Sequence, residues 1–410
     1  MSRITIAVYI LWFCNVLAPL TNWQTLDAQP RRALWVWKPT TNNWWDGQPS
    51  WERMVDNYEN SADLVIDFCR NKSINVIYLY IGAYEWESGY FDGSLRGGEP
   101  GLYNESGYYH IITNARRWDI TVFGLFYLYD DPNDSRIDSE GPTAISNIIK
   151  AVVGYNDRHS DAMIAGIESD QEPWNTARYP GLLDVFQCGM DYIAALTNWG
   201  ACHLVFDADV KPSWTIGDPD ITWNSQTKPM YQHCLDILDG IALMDYYDSE
   251  PELFPRAASN IYYAESIGGR SVSIGVETGW QNVGNANTFN DEIAAESPAN
   301  RFNYMEGELA ALLPNFIDSN SFNRIAIHDF AQYFLHWMGE GADPFLAANP
   351  SPPWTSNFVD LTVDTSLQAG YPKSTCPAWP MVTITTGPAV SITTNAPFQI
   401  EFTADAKHGF

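Results

Sequence analysis

Short apolar runs alternate with longer amphipathic stretches from Arg32 onward. Apolar runs bounded by Gly, Pro or acids read as buried strands, and apolar residues recurring every three or four positions read as helices. Strands are predicted at Arg32–Pro39, Asn75–Gly82, Ile120–Tyr127, within Ala162–Trp174, and at His203–Val210, Gly240–Tyr246, Ser271–Glu277 and Arg324–Phe330. Helical patterns separate them at Ser50–Asn71, Tyr108–Arg117, Thr143–Val153, Gly181–Trp199, Met230–Leu238, Pro255–Ile267, Asn300–Phe316 and, weakly, Ala331–Met338. The clearest is Gly181–Trp199, with Leu182, Val185, Phe186, Met190, Ile193 and Leu196 at helical spacing.

Strictly alternating strands and helices imply a parallel sheet with right-handed crossovers. Eight such units predict an α/β fold, a (β/α)8 TIM barrel. An open doubly wound sheet is the alternative, but it usually brings a Gly-rich phosphate loop after the first strand, and the sequence has none. The pattern changes after residue 342. Residues 343–380 read as a Pro/Ser-rich linker, and 381–410 alternate as a short β-rich tail, possible strands of an immunoglobulin-like module or of the barrel's own coat.

The first residues are predicted to be an export signal, residues 1–28. Arg3 precedes the apolar run Ile4–Leu20, and Leu26-Asp27-Ala28 is a tolerable cleavage site; an uncleaved N-terminal anchor is the alternative. The expected location is therefore secreted or extracellular, including periplasmic or surface-attached. No later run is long and apolar enough to span a bilayer. A net charge of −28 argues against nucleic acid and anionic membranes as partners. Of six Cys, Cys14 leaves with the signal; the rest read as scattered and mostly buried, with one or two bridges at most.

The chemistry collects around Glu168, Asp170 and Glu172. Strand side chains alternate faces, so the three carboxylates line one face where the fourth strand ends, and Pro173 stops regular pairing. Acids this close disfavour one another's ionisation, so one holds a proton beside a permanent anion. A solvated acidic loop or a calcium site is the plain alternative. In a barrel the strand C-termini form one rim. Trp37, Lys38, Glu85, Trp86, Asp130, Asp207, Asp209, Asp245, Tyr246, Tyr247, Glu277, Trp280, His328 and Asp329 all fall there. Aromatic rings and carboxylates together suit a carbohydrate, whose C–H faces stack and whose hydroxyls donate. Asp207 and Asp209 serve equally well as structural pairs, His328 as a structural histidine, and Glu277 as a buried acid paired with a cation. The His spacing fits no zinc motif, and no cofactor is expected.

Gln171-Glu172-Pro173 resembles the Asn-Glu-Pro that ends the fourth strand in the large retaining clan of glycoside hydrolase barrels, and Glu277-Thr278-Gly279-Trp280 resembles that clan's seventh-strand end. The resemblance implies Glu172 as acid/base and Glu277 as nucleophile. Gln171 departs from the Asn that, in the clan, binds the hydroxyl beside the reacting carbon. Ala165, Glu168, Asp170 and Glu172 also align with the Asp-x-x-Asp-x-Asp-x-Glu of family-18 chitinases, two of four matching, and Met244-Asp245-Tyr246 matches their Met-x-Tyr. That resemblance implies Glu172 as acid and Asp170 as holder of a substrate acetamido group that attacks in place of a protein nucleophile. The chain also looks like a loose set of uncharacterised secreted barrels. The expected function is thus a secreted glycoside hydrolase with catalytic Glu172, Glu277 and Asp170, and with Trp37, Trp174, Asp207, Asp209, Tyr246, Trp280 and His328 binding substrate. A non-catalytic carbohydrate-binding barrel is the second expectation.

Overall fold

A computed structural model describes residues 31–37, 58–85, 90–91, 95–96, 99–102, 105–129, 131–198, 204–279, 287–297 and 300–338. Eight strands build the central sheet: β1 (Arg32–Val36), β2 (Val76–Glu85), β3 (Thr121–Tyr127), β4 (Gly166–Ser169), β5 (Val205–Val210), β6 (Gly240–Leu243), β7 (Ser271–Glu277) and β8 (Phe322–His328). Each is parallel to the next, and β1 pairs with both β2 and β8, which closes the sheet into a barrel. The helices between them are α1 (Tyr58–Asn71), α2 (Glu105–Arg116), α3 (Ile137–Arg158), α4 (Tyr179–Asn198), α5 (Met230–Ile237), α6 (Glu250–Ile267), α7 (Asn303–Leu312) and α8 (Phe330–Met338). The fold is a (β/α)8 barrel, as the alternation predicts.

The apolar core has two bodies, because strand side chains alternate faces. Outward residues such as Leu34, Ile77, Ile167, Phe206 and Ile274 pack under the helices. Inward residues Ala33, Trp35, Val76, Tyr78, Phe123, Leu125, Ala242 and Ala326 fill the barrel. Trp35 is accommodated by Gly275 on β7, where an added Cβ would lie 3.0 Å from the indole and 2.7 Å from the Leu243 carbonyl oxygen. The interior is not wholly apolar. Glu168, Asp207, Asp209 and Arg324 are buried in it, with at most 6% exposure for Arg324.

Local differences from the predicted elements have physical causes. The helix predicted at Thr143–Val153 is longer at both ends: α3 runs Ile137–Arg158 with Pro142 inside it. The Asn300–Phe316 pattern is α7 followed by a 3₁₀ turn at Leu313–Asn315, and a further short helix, Asn290–Ala295, precedes it. A hairpin of Ile221–Trp223 and Gln226–Lys228 escaped the hydrophobic pattern. Its turn residues Asn224 and Ser225 have φ of 47° and 65°, as a tight two-residue turn requires. Cys69 and Cys234 are free and buried, and Cys188 is free and half-buried; Cys202 and Cys376 lie outside the described residues. The segments predicted as a leader at 1–28, a linker at 343–380 and a β-rich tail at 381–410 also lie outside them.

Candidate active site

β4 ladders only to Ser169, but the chain stays extended beyond it: Asp170 N–H donates to the Phe126 carbonyl at 2.8 Å. Alternation therefore continues, and Glu168, Asp170 and Glu172 follow one another up the inner face. Glu168 is fully buried and accepts from the Trp35 indole at 3.2 Å. Asp170 and Glu172 meet side chain to side chain. Asp209 is the inward residue of β5 beside them, and neither of its oxygens, nor Glu168 Oε2, has a donor among the described residues. Carboxylates only accept, so buried acids left without donors keep their protons to higher pH. Burial, then Glu172 and Asp209, push Asp170 well above the usual carboxylate range. Burial, then Glu168, does the same to Asp209, and burial carries Glu168 up to about 8.

Glu172 is also raised by burial. The hydrogen bond from Asp170 and the cations Lys211 and His328 work against that rise. Lys211 follows Asp209 by two residues, one past the end of β5, and its Nζ donates to the Pro173 carbonyl at 2.6 Å. Tyr246 comes in from the end of β6, its ring 5.7 Å from that of His328. Burial and the surrounding acids Glu277, Asp209, Glu172 and Asp170 hold its phenol protonated far above the ordinary value.

Glu277 and His328 are register partners on β7 and β8. Nδ1 of His328 donates to Glu277 Oε2 at 2.6 Å, and the Gly279 N–H donates to Oε1 at 2.6 Å. Both carboxylate oxygens are thus engaged. Burial opposes the charge on His328, but Glu277 outweighs it and holds the imidazole at about 9. Trp35 and Trp37 turn ring edges toward His328 at 6.0 and 6.3 Å.

The predicted residues Asp170, Glu172, Asp209, Tyr246, Glu277, His328 and Trp37 converge at this end of the barrel. Trp174 lies two residues beyond Glu172 with 70% exposure. Asp207 sits one inward position deeper than Asp209, buried and within the field of Arg324, so it is below the rim on which the sequence placed it. Asp245 is likewise not at the rim: it faces outward, fully buried, toward Arg256 of α6. Trp280, Trp86, Lys38 and Asp130 lie outside the described residues. Gln171 points away from the acids, and its Oε1 accepts from the Leu128 and Tyr129 N–H groups at 2.9 and 3.1 Å. Its likeness to a sugar-binding Asn is therefore not matched by its position. Sequence reasoning missed Trp35, Lys211 and Arg324; each lies an even number of residues from a predicted site residue on its strand, which was the available signal.

No family model matches the chain, and no curated protein matches it. Among solved structures it is similar to a class V chitinase from Nicotiana tobaccum, at 13% identity over 61% of this chain and 67% of that one, with a TM-score of 0.39. A GH18 chitinase from Cycas revoluta in complex with (GlcNAc)3 matches at 12% identity over 60% and 68%, TM-score 0.40. A xylanase and α-amylase inhibitor protein from Scadoxus multiflorus matches at 13% identity over 76% and 99%, TM-score 0.39.

Chemically, the arrangement supplies three things close together. A protonated carboxyl pair opens toward the rim. A phenol that stays protonated faces it. A fixed imidazolium–carboxylate pair lies opposite. Such a set can give a proton to a leaving oxygen and offer hydrogen bonds to polar substituents near the same atom.

Proposed function

We propose that the chain is a glycoside hydrolase in which Glu172 is the proton donor and Asp170 its partner. The observation that carries this is the Asp170–Glu172 carboxyl contact at the end of β4, backed by Asp209. Glu277 has both oxygens occupied, which favours a substrate that supplies its own nucleophile over one attacked by Glu277. The substrate class is then a glycan with a 2-acetamido group. Glu172 gives its proton to the glycosidic oxygen as the C1–O bond breaks. The Asp170–Glu172 pair shares one proton, which lies on Glu172 when it is given up, so Asp170 is then ionised; the acetamido oxygen bonds to C1, Asp170 accepts from the acetamido N–H, and the Tyr246 hydroxyl donates to the acetamido oxygen. Water then attacks C1 as the bond from C1 to the acetamido oxygen breaks and the acetamido group is restored, Glu172 takes the water's proton, and configuration is retained. The leader at residues 1–28 fits an exported enzyme meeting an extracellular polysaccharide.

A second reading, a barrel that binds sugar without cleaving it, is favoured by one feature: Lys211 and His328 both pull Glu172 toward its ionised form. The test is turnover of oligosaccharide panels with and without 2-acetamido groups, by the wild type and by Glu172→Gln, Asp170→Asn and Glu277→Gln. The proposal expects cleavage of acetamido sugars alone, with a loss of about 10²–10⁴-fold in Glu172→Gln. Cleavage of 2-hydroxy glycans that depends on Glu277 would replace it with direct attack by that residue. Binding with no turnover would establish the second reading.

A further inference from the structure

The mechanism above uses the upper half of the buried polar column and leaves its lower half unexplained. Arg324 projects inward from β8, two inward positions below His328. It is 6% exposed, and its Nε and Nη1 make no hydrogen bond among the described residues. Its guanidinium faces the rings of Tyr78 and Phe123, at 5.9 and 5.5 Å. Asp207 on β5 is 2% exposed, and its Oδ1 likewise has no hydrogen-bond partner among the described residues. Asp207 is the register partner of Glu168 on β4. A cation and an acid that burial pushes up to about 7 are therefore held inside the barrel without a close ion pair between them among the described residues. Their fields act instead on their neighbours.

We propose that Arg324 and Asp207 form a charge-setting pair beneath the site, coupled to Glu172 through Glu168, Asp209 and Asp170. They are positioning residues, since neither reaches the rim. The coupling is strong because the column runs through the inner apolar body of Trp35, Tyr78, Phe123, Leu125, Ala242 and Ala326, where charges are poorly screened. Arg324 favours the ionised forms of Asp207 and Glu168, and Asp207 opposes ionisation of Glu168. Glu168 acts on Asp209, and Asp209 on Asp170, which touches Glu172. The other groups facing this column are Tyr78 from β2, Lys211 just after β5, Tyr246 after β6, Glu277 from β7 and His328 from β8, with Asp239 acting on Asp207 from the turn before β6. β1 contributes the Trp35 indole, and β3 presents Phe123 and Leu125, with Tyr127 above them stacked on Tyr80 of β2.

The pair predicts shifts of opposite sign. Arg324→Met removes a positive charge, so the column keeps its protons to higher pH. Asp207→Asn removes a negative charge, so the column loses them at lower pH. Each shift should be roughly 0.5–1 pH unit. Arg324→Lys keeps the charge and should stay near the wild type. Two readouts are needed. The alkaline limb of kcat/KM rests on the hydrolase reading. An infrared titration of the protonated-carboxyl C=O band from pH 5 to 10 does not, so a failure of the function and a failure of the pair are told apart. A residue that only packs would not move the two variants in opposite directions. If Arg324→Met does not fold, Asp207→Asn alone must still show the acid shift. Band midpoints that shift in the same direction in both variants, or that do not move in Asp207→Asn, would overturn the proposal.

Discussion

His328 donates through Nδ1 to Glu277 Oε2 at 2.6 Å, across the C-terminal ends of two adjacent strands. This contact keeps an imidazolium beside Glu172 and occupies the acid that would otherwise be the natural nucleophile.

Replacing Glu277 with Gln should release His328 from that hold. Burial then weighs against the charge with only Asp329 and Glu172 still favouring it, so the midpoint should fall from about 9 toward the ordinary 6.5. Imidazole NMR chemical shifts against pH measure it directly. The same pair gives stability a sign. A histidine raised on folding contributes fully below pH 6.5 and loses that contribution as pH rises through 9. The wild type should lose about 3 kcal/mol across this window, and Glu277→Gln should lack the slope. Denaturant unfolding at several pH values checks it.

Gln171 separates two accounts of the β4 end. Its side chain holds two buried backbone N–H groups of the β3 loop. Gln171→Ala should cost about 2–4 kcal/mol in unfolding free energy, with kcat nearly unchanged at temperatures where the variant is folded. A collapse of kcat with stability intact would mean that the residue touches substrate after all.

Trp174 is tied down by its backbone while its ring is open. Asn133 Oδ1 accepts from the Trp174 and Asn175 N–H groups at 3.0 and 2.8 Å, and the side chain is 70% exposed. A fixed backbone carrying a free ring two residues from the proton donor suits a stacking platform for the sugar chain. Trp174→Ala should leave the melting temperature within about 1 °C, since exposed positions carry little stability. KM for long oligosaccharides should rise about 3- to 10-fold. Unchanged KM at every chain length would remove Trp174 from the binding surface.

The barrel was legible because its two periodicities are strong. Ser271–Glu277 was read to the residue, and most other strands to within a few positions. The β4 segment was the hardest, since its acids continue the alternation for three residues after the ladder has stopped at Ser169. Period-two spacing also placed Glu168, Asp170 and Glu172 on one face. It could not tell depth. Asp207 and Asp209 look alike along the chain, yet one lies over Arg324 and the other against Asp170. Nor could it separate the inward Tyr246 from the outward Asp245 in function, because a rim residue and a helix-facing residue are neighbours in sequence. The roles of Gln171 and Glu277 were decided by hydrogen bonds to the β3 loop and to His328, contacts between segments that no local pattern carries.

The most direct test of the proposed chemistry is the ionisation of Glu172 itself, followed by ¹³C-carboxyl NMR as pH is raised. Burial within the column of acids should hold its midpoint above the ordinary glutamate value of 4.5, with a two-step titration shared with Asp170. A single step at or below the ordinary value would show that Glu172 carries no proton to give, and the hydrolase mechanism would lose its acid.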